Sequence, residues 1–264
     1  MKYPVIVVGA NGKMGREIIK GLGQHEDITI VGAVDISNVN TDIGELVFGK
    51  STGVKITADL SDTLEKVDKH CIVIDFTRKE SAQKNVPVAL KKGVPVVVGT
   101  TGFAEEELAE LDALAKENMT SILVAPNFSL GAVLMMKYAG ELSKYYQQAE
   151  IIEYHNDKKV DSPSGTSIAT TKGMCYQDQA CRADSDSHDP ARCRGGEFNG
   201  VRIHSVRLQS LIAHQEVMFS GVGELLTIRH DSYSRESFIP GILLAVKKAG
   251  SWQGLKFGLD QILD

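Results

Sequence analysis

The first thirty-five residues constrain the fold more than any other stretch. Tyr3 to Val8 is a short apolar, β-branched run that passes directly into Gly9-Ala10-Asn11-Gly12-Lys13-Met14-Gly15 and then into a helical pattern through Ile18, Ile19 and Leu22. The order is strand, glycine turn, helix. Its spacing, G-x-x-G-x-x-G, is a variant of the dinucleotide fingerprint, in which glycines permit a tight turn, close approach of a pyrophosphate and packing of the helix on its strand. A second strand, Ile28 to Val34, ends at Asp35, 20 residues after Gly15. There a carboxylate can accept hydrogen bonds from the adenosine ribose hydroxyls. The competing reading is a tight βα turn without ligand, with Asp35 as a cap or loop solubiliser; five features in register favour the nucleotide. Asp35 repels a 2′-phosphate, and Ile36-Ser37-Asn38 bring no arginine to bind one, so NADH is the preferred cofactor. Lys13, in the turn, could reach a phosphate, which keeps NADPH usable.

Further strands at Cys71 to Phe76, Val94 to Val98 and Ser121 to Ala125 alternate with helical stretches around Ser81 to Lys92 and Glu105 to Glu117. The pattern is α/β, a Rossmann-like doubly wound parallel sheet. Ligands in such sheets lie outside the carboxyl ends of the strands. The loops there carry Phe76, Thr77 and Arg78, then Gly99 and Thr101, then Ala125, Asn127 and Phe128, which should line the nicotinamide half of the site. Beyond residue 126 the pattern changes. A helix is expected over Gly131 to Tyr146, and strands at Val201 to Leu208, Ala213 to Ser220 and Glu224 to His230, with turns at Gln209-Ser210 and Gly221-Val222-Gly223. The expected division is a dinucleotide-binding domain over 1–126, completed by a helical 237–264, and a second α+β domain on an open mixed sheet over 127–236. Met174 to Asn199 is polar and cysteine-dotted, and reads as an excursion rather than core.

The chemistry concentrates in Glu153-Tyr154-His155-Asn156-Asp157-Lys158-Lys159-Val160-Asp161-Ser162-Pro163-Ser164-Gly165-Thr166. A strand through Ile151, Ile152 and Tyr154 enters this span, Asp161 to Gly165 is turn chemistry, and a helix opens at Thr166 with Ser164 or Thr166 as N-cap. A turn feeding a helix N-terminus points several N–H groups at one spot, which suits a carboxylate or phosphate. His155 can move a proton near neutral pH, and Lys159 can supply a positive charge or a donor to a developing anion. The plain alternative is a structurally satisfied histidine beside solvated lysines; adjacency to Pro163-Ser164-Gly165-Thr166 weighs against it.

With 264 residues, a formal charge of −5 and a pI near 5.8, the chain has room for two domains and no general attraction to nucleic acid or anionic membranes. No apolar run approaches the roughly 20 residues needed to span a bilayer, and a cytoplasmic location is expected. Cys71, Cys175, Cys181 and Cys193 form no C-x-x-C pair. Cys175, Cys181, His188 and Cys193 share one stretch but lack finger-like spacing, so no metal is expected.

Taken together, the glycine turn, Asp75-Phe76-Thr77-Arg78, Gly99-Thr100-Thr101-Gly102-Phe103, Asn127-Phe128-Ser129 and above all the His155 to Thr166 span resemble the 4-hydroxy-tetrahydrodipicolinate reductase (dihydrodipicolinate reductase) family of lysine biosynthesis. The likeness covers nearly the whole chain, and Lys159 to Thr166 is its most specific part. It implies a homotetrameric two-domain enzyme that reduces a small cyclic dicarboxylate with NADH or NADPH, its cleft closing on both ligands. By resemblance, His155 is the proton donor and Lys159 stabilises charge on the ring nitrogen, while Thr101, Ser164, Gly165 and Thr166 hold the substrate carboxylates. Many family members carry a second histidine where this chain has Asn156, which can hydrogen-bond a carboxylate without carrying charge. Two other readings stay open: another nicotinamide-dependent reductase or dehydrogenase for a small anionic imine or keto acid, and a regulator that senses NAD(H) without chemistry.

Overall fold

The structure, a computed structural model, describes residues 2–67, 70–176 and 193–263. It divides into two units: Met1–Ser129 with Arg235–Asp264, and Leu130–Ser234.

The first unit is built around β1 (Tyr3–Val8), whose Val5, Ile6, Val7 and Val8 are buried on both faces. Such continuous apolar strands belong in a parallel sheet covered by helices on both sides. The chain alternates accordingly. It runs α1 (Lys13–Leu22), β2 (Ile28–Val34), α2 (Ile43–Phe48), β3 (Ile56–Thr57), α3 (Leu60–Lys66), β4 (Ile72–Asp75), α4 (Lys79–Lys91), β5 (Val96–Val98), α5 (Glu105–Glu117) and β6 (Ser121–Val124). After the second unit it returns with α8 (Ile239–Lys248) and β12 (Gly254–Phe257). The sheet has seven parallel strands in the order β12-β6-β5-β4-β1-β2-β3. The direction of progression reverses between β1 and β4, and it is at such a switch point that a crevice opens at the strands' carboxyl ends.

The expected α/β doubly wound sheet is therefore present, with one correction. Residues from 237 onward are not helical to the end. α8 stops at Lys248, Gly250 turns the chain with φ 82°, and Leu255 pairs with Ile122 as β12 joins the edge of β6. That edge offers backbone groups needing partners. Gly254 N–H donates to Thr120 O at 3.0 Å, and Leu255 N–H to the Asp112 carboxylate at 2.8 Å.

The second unit comprises α6 (Leu130–Leu142), β7 (Gln148–His155), α7 (Gly165–Lys172), β8 (Gly196–Phe198), β9 (Val201–Arg207), β10 (Ala213–Gly221) and β11 (Glu224–Ser232). Its five-stranded mixed sheet has the order β11-β10-β7-β9-β8, with β7 parallel to β9 and antiparallel to β10. One core gathers Met135 and Ala139 of α6 over Ile151, Ile203, Val217 and Phe219 of the sheet. Met174 and Tyr176 are also in that core, each 2% exposed. This corrects the reading of 174–199 as excursion: the Tyr176 hydroxyl donates to Tyr146 O at 2.5 Å, so its polar end is satisfied while its ring is buried. At the far end of the stretch, β8 pairs with β9. The remainder, 177–192, lies outside the described residues, and with it Cys181 and His188 of the weighed cysteine–histidine set.

Candidate active site

In the first unit the glycine turn is fixed by contacts that exclude larger residues. Gly9 has φ 80°, and a Cβ there would meet Phe76 O at 2.7 Å. A Cβ on Gly15 would lie 2.0 Å from Gly9 O, so α1 is pressed directly onto the turn. Gly12 is the N-cap of α1 and makes no side-chain cap bond. The amides of Lys13, Met14 and Gly15 thus open the helix without intrahelical acceptors, the arrangement that receives a pyrophosphate. Lys13 is exposed.

Asp35, at the end of β2, meets this turn. Asn11 N–H donates to its Oδ2 at 3.0 Å, and Ser37 donates to Oδ1 from its amide at 2.9 Å and its hydroxyl at 2.7 Å. Arg16 is drawn to Asn11, donating to Asn11 Oδ1 at 2.5 Å and to its carbonyl at 3.1 Å. A carboxylate held in this way beside a glycine turn suits ribose hydroxyls.

The loops after β4 and β5 are tied to one another by Asp75. Asp75 is fully buried, and burial pushes its carboxyl up. Its Oδ1 accepts from Thr77 N–H at 3.1 Å, the Thr77 hydroxyl at 2.7 Å and the Thr100 hydroxyl at 3.1 Å. The Thr77 amide also donates to Thr100 Oγ1 at 3.0 Å. Phe76 and Phe128 stack with centroids 5.3 Å apart, and Phe128 is only 1% exposed. Gly99 is required beneath this pair, since a Cβ would fall 2.3 Å from the Phe76 ring. Ala125 is buried, Asn127 is half-buried with its Oδ1 accepting from Ser129 N–H, and Arg78 and Thr101 are exposed. Phe76, Thr77, Gly99, Ala125, Asn127 and Phe128 therefore lie together at the carboxyl end of the parallel sheet.

In the second unit the inner face of the sheet changes character along β7. At Ile151 it is apolar, with Ile203 and Val217 opposite. Two residues on, at Glu153, the partners are Ser205 and Gln215; at His155 they are Arg207 and Ala213. Successive inward positions of a strand are two residues apart, so all of these share one face. Glu153 is fully buried and accepts Arg207 Nη2 at 2.7 Å and Nη1 at 3.0 Å, together with a short contact from His155 Nδ1. Burial alone would raise Glu153, but hydrogen bonds from His155, Arg207 and Ser205 hold its carboxyl down at about 2.

The anion-binding turn is anchored to the same face. Ser164 is the N-cap of α7, its Oγ accepting from Ser167 N–H at 3.1 Å. The Ser167 hydroxyl donates to Gln215 Oε1 at 2.7 Å, and Gln215 Nε2 donates to Thr170 Oγ1 at 2.8 Å. Of the two sequence candidates, Ser164 rather than Thr166 is the cap. Gly165 is exposed, and a Cβ there would meet nothing within 4 Å, leaving open space at the first helical amides. Lys159 pairs with Asp161 at 2.7 Å, and the Asp161 carbonyl accepts Arg207 Nη2 at 2.9 Å. Asn156 holds its own loop, donating to Gln209 O at 2.5 Å and accepting Lys158 N–H at 3.2 Å. Arg207 and Gln215 escaped the sequence reading, and Glu153 stood in the span without a role of its own; the available signal was a glutamate two residues before the histidine, where strand alternation puts both on one face.

Two adjoining family profiles match the chain: "Dihydrodipicolinate reductase, N-terminus" over residues 3–128 and "Dihydrodipicolinate reductase, C-terminus" over 131–263. The 4-hydroxy-tetrahydrodipicolinate reductase of Moorella thermoacetica is 45% identical across 98% of this chain and 97% of its own length. That of Carboxydothermus hydrogenoformans is 43% identical across 98% of both. Among solved structures, dipicolinate-bound dihydrodipicolinate reductase from Paenisporosarcina sp. TG-14 superposes with a TM-score of 0.87 at 35% identity, covering 100% of both chains. An amine dehydrogenase from Mycobacterium smegmatis, 14% identical with a TM-score of 0.69 over 97% of this chain and 95% of its own, shares the fold alone.

Proposed function

Because this chain belongs to the dihydrodipicolinate reductase family, we propose a division of labour among its residues for the reaction that membership establishes. The chain is an oxidoreductase of lysine biosynthesis that reduces 4-hydroxy-tetrahydrodipicolinate to tetrahydrodipicolinate in the diaminopimelate route with a nicotinamide cofactor. The net change adds a hydride and a proton and loses the 4-hydroxyl as water.

A nicotinamide dinucleotide, when bound, supplies the hydride. The residues of the first unit fit it: the α1 amides and Gly9, Asn11, Gly12, Lys13, Met14 and Gly15 take the pyrophosphate, and Asp35 takes the ribose. Phe76, Thr77, Arg78, Gly99, Thr101, Ala125, Asn127 and Phe128 frame the nicotinamide. NADH is preferred and NADPH used more weakly, because Asp35 presents a carboxylate and Arg16 is engaged with Asn11.

In the second unit His155 gives up the proton as negative charge builds on the substrate, and Lys159 stabilises charge at the ring nitrogen. Ser164, Gly165 and Thr166, with Thr101 and Asn156, hold the carboxylates, a role supported by the open space at Gly165 and by the amides that start α7. The observation that carries this reading is the polar end of the sheet's inner face, where His155 and the cap of α7 are built onto one set of strands through Gln215. The working assembly is a cytoplasmic homotetramer, to be checked by its mass in solution; no helix among the described residues is long and apolar enough to cross a membrane.

The test is a coupled assay in which dihydrodipicolinate synthase, pyruvate and aspartate semialdehyde generate the substrate and oxidation of NADH and NADPH is followed separately. Synthase-dependent oxidation faster with NADH supports the assignment. Equal rates and affinities with both cofactors would remove Asp35 as the discriminating group.

A further inference from the structure

Glu153 is a charged side chain with no exposure, and the roles assigned above do not use it. Burying a carboxylate is costly unless it is paired and hydrogen-bonded. Here Arg207 binds it through both Nη atoms, in the fork geometry that fixes a carboxylate's plane as well as its charge. The same Oε2 that accepts Arg207 Nη1 receives His155 Nδ1. Arg207 is itself anchored by the register of β9 opposite His155 and by the Asp161 carbonyl.

We propose that Glu153, locked in place by Arg207, is a positioning residue for His155, fixing the imidazole so that Nδ1 keeps its hydrogen and Nε2 is the atom that donates the proton. The inference rests on the reading of His155 as proton donor. In the step, the Nε2–H bond of the imidazolium breaks and its proton passes to the substrate atom where charge accumulates, while the hydride comes from the reduced nicotinamide. His155 is left neutral with its hydrogen on Nδ1, Glu153 remains ionised throughout, and solvent later returns a proton to Nε2. An ionised acceptor at Nδ1 selects this tautomer.

Among the described residues, the acidic partner of His155 is Glu153. On β9 the opposing side chain is Arg207, already committed to Glu153. On β10 the opposing residues are Ala213 and Gln215; His214 alternates to the other face, where it pairs with Asp231 at 2.8 Å. α7 turns Ser167, Thr170 and Thr171 inward, none of them titratable near neutral pH. In the following loop Asp157 and Lys158 are exposed, and Lys159 pairs with Asp161.

Steady-state kinetics of the full-length enzyme, Glu153→Gln, His155→Ala and the double variant in the coupled assay test this. Glu153→Gln should lower kcat on the order of 10- to 100-fold with substrate KM within about twofold. In the His155→Ala background it should add no more than about a twofold loss, since both changes act through one group. Equal losses in both backgrounds would overturn the proposal. A wild-type rate in His155→Ala would remove the proton donor itself. A large loss there with a wild-type rate in Glu153→Gln would overturn the positioning role alone. Should Glu153→Gln fail to fold, ¹⁵N NMR of histidine-labelled wild-type enzyme, assigned by difference from His155→Ala, reads the tautomer directly. Hydrogen on Nδ1 of the neutral ring is expected; hydrogen on Nε2 would overturn the proposal.

Discussion

Gly15→Ala sets two effects of one methyl group against each other. In an unconstrained helix interior alanine is favoured over glycine by about 1 kcal/mol. At position 15 the new Cβ would lie 2.0 Å from Gly9 O, 2.8 Å from Gly9 C and 2.9 Å from Ala10 Cα. All three are backbone atoms, so no side chain can rotate away. Reaching ordinary contact near 3.5 Å requires α1 and the turn to separate by roughly 1 to 1.5 Å. Overpacking of this kind costs about 1–3 kcal/mol, which cancels or exceeds the gain in propensity. The larger consequence falls on the cofactor, because the same movement displaces the amides of Lys13, Met14 and Gly15. Loss of one charge-assisted hydrogen bond, about 1.5–3 kcal/mol, corresponds to a roughly 10- to 100-fold rise in the Kd for NADH. Fluorescence titration with NADH and urea unfolding of the same sample measure both. Unchanged or tighter NADH binding with raised stability would refute the claim that α1 is seated on the turn. Gly165→Ala is the control: with nothing within 4 Å, stability should stay level or rise by a few tenths of a kcal/mol. Its substrate KM should nevertheless increase if the space over α7 receives a carboxylate.

Asp35→Ala should weaken NADH more than NADPH in parallel titrations, and equal losses would show that Asp35 does not read the ribose. Ser164→Ala removes the α7 cap and its link to Ser167, so unfolding should show a loss of about 1 kcal/mol, with a higher substrate KM. Lys159→Ala should lower turnover far more than it changes NADH affinity; an unchanged rate would exclude that lysine from the mechanism. The depressed Glu153 carboxyl, near 2 folded against about 4.5 unfolded, contributes stability that is present above the unfolded value and is lost as pH falls from about 4.5 towards 2. Glu153→Gln should therefore flatten the acid limb of a urea-midpoint profile; an identical limb would assign that loss to other carboxylates.

The glycine turn, the buried strands and Asp35 were legible because each is a local pattern: apolar runs of the right length, glycines at fixed offsets, an acid at a strand end. The Ser164 cap was legible as one of two candidates for the same reason. β12 was not, since Gly254-Leu255-Lys256-Phe257 has no marked alternation and becomes a strand only by pairing with a β6 edge some 130 residues earlier. The short α2 and α3 went unassigned although Asp42 and Asp59 cap them, with bonds to Gly44 and Asp62 amides. A single turn or two carries too little periodicity to separate from loop. Met174 and Tyr176 were read as surface because the polar residues after them outweighed two apolar ones. Glu153 and Arg207, 54 residues apart, meet only through the register of β7 with β9, which a sequence does not display.

The central claim is that catalysis by this chain runs through a proton held at His155 on the polar end of the second unit's sheet. The most direct measurement pairs turnover in the coupled assay with NADH affinity for wild type and His155→Ala. The account predicts a fall in kcat of about 100-fold or more, with the Kd for NADH within about twofold. Turnover in His155→Ala within a few-fold of wild type would contradict it.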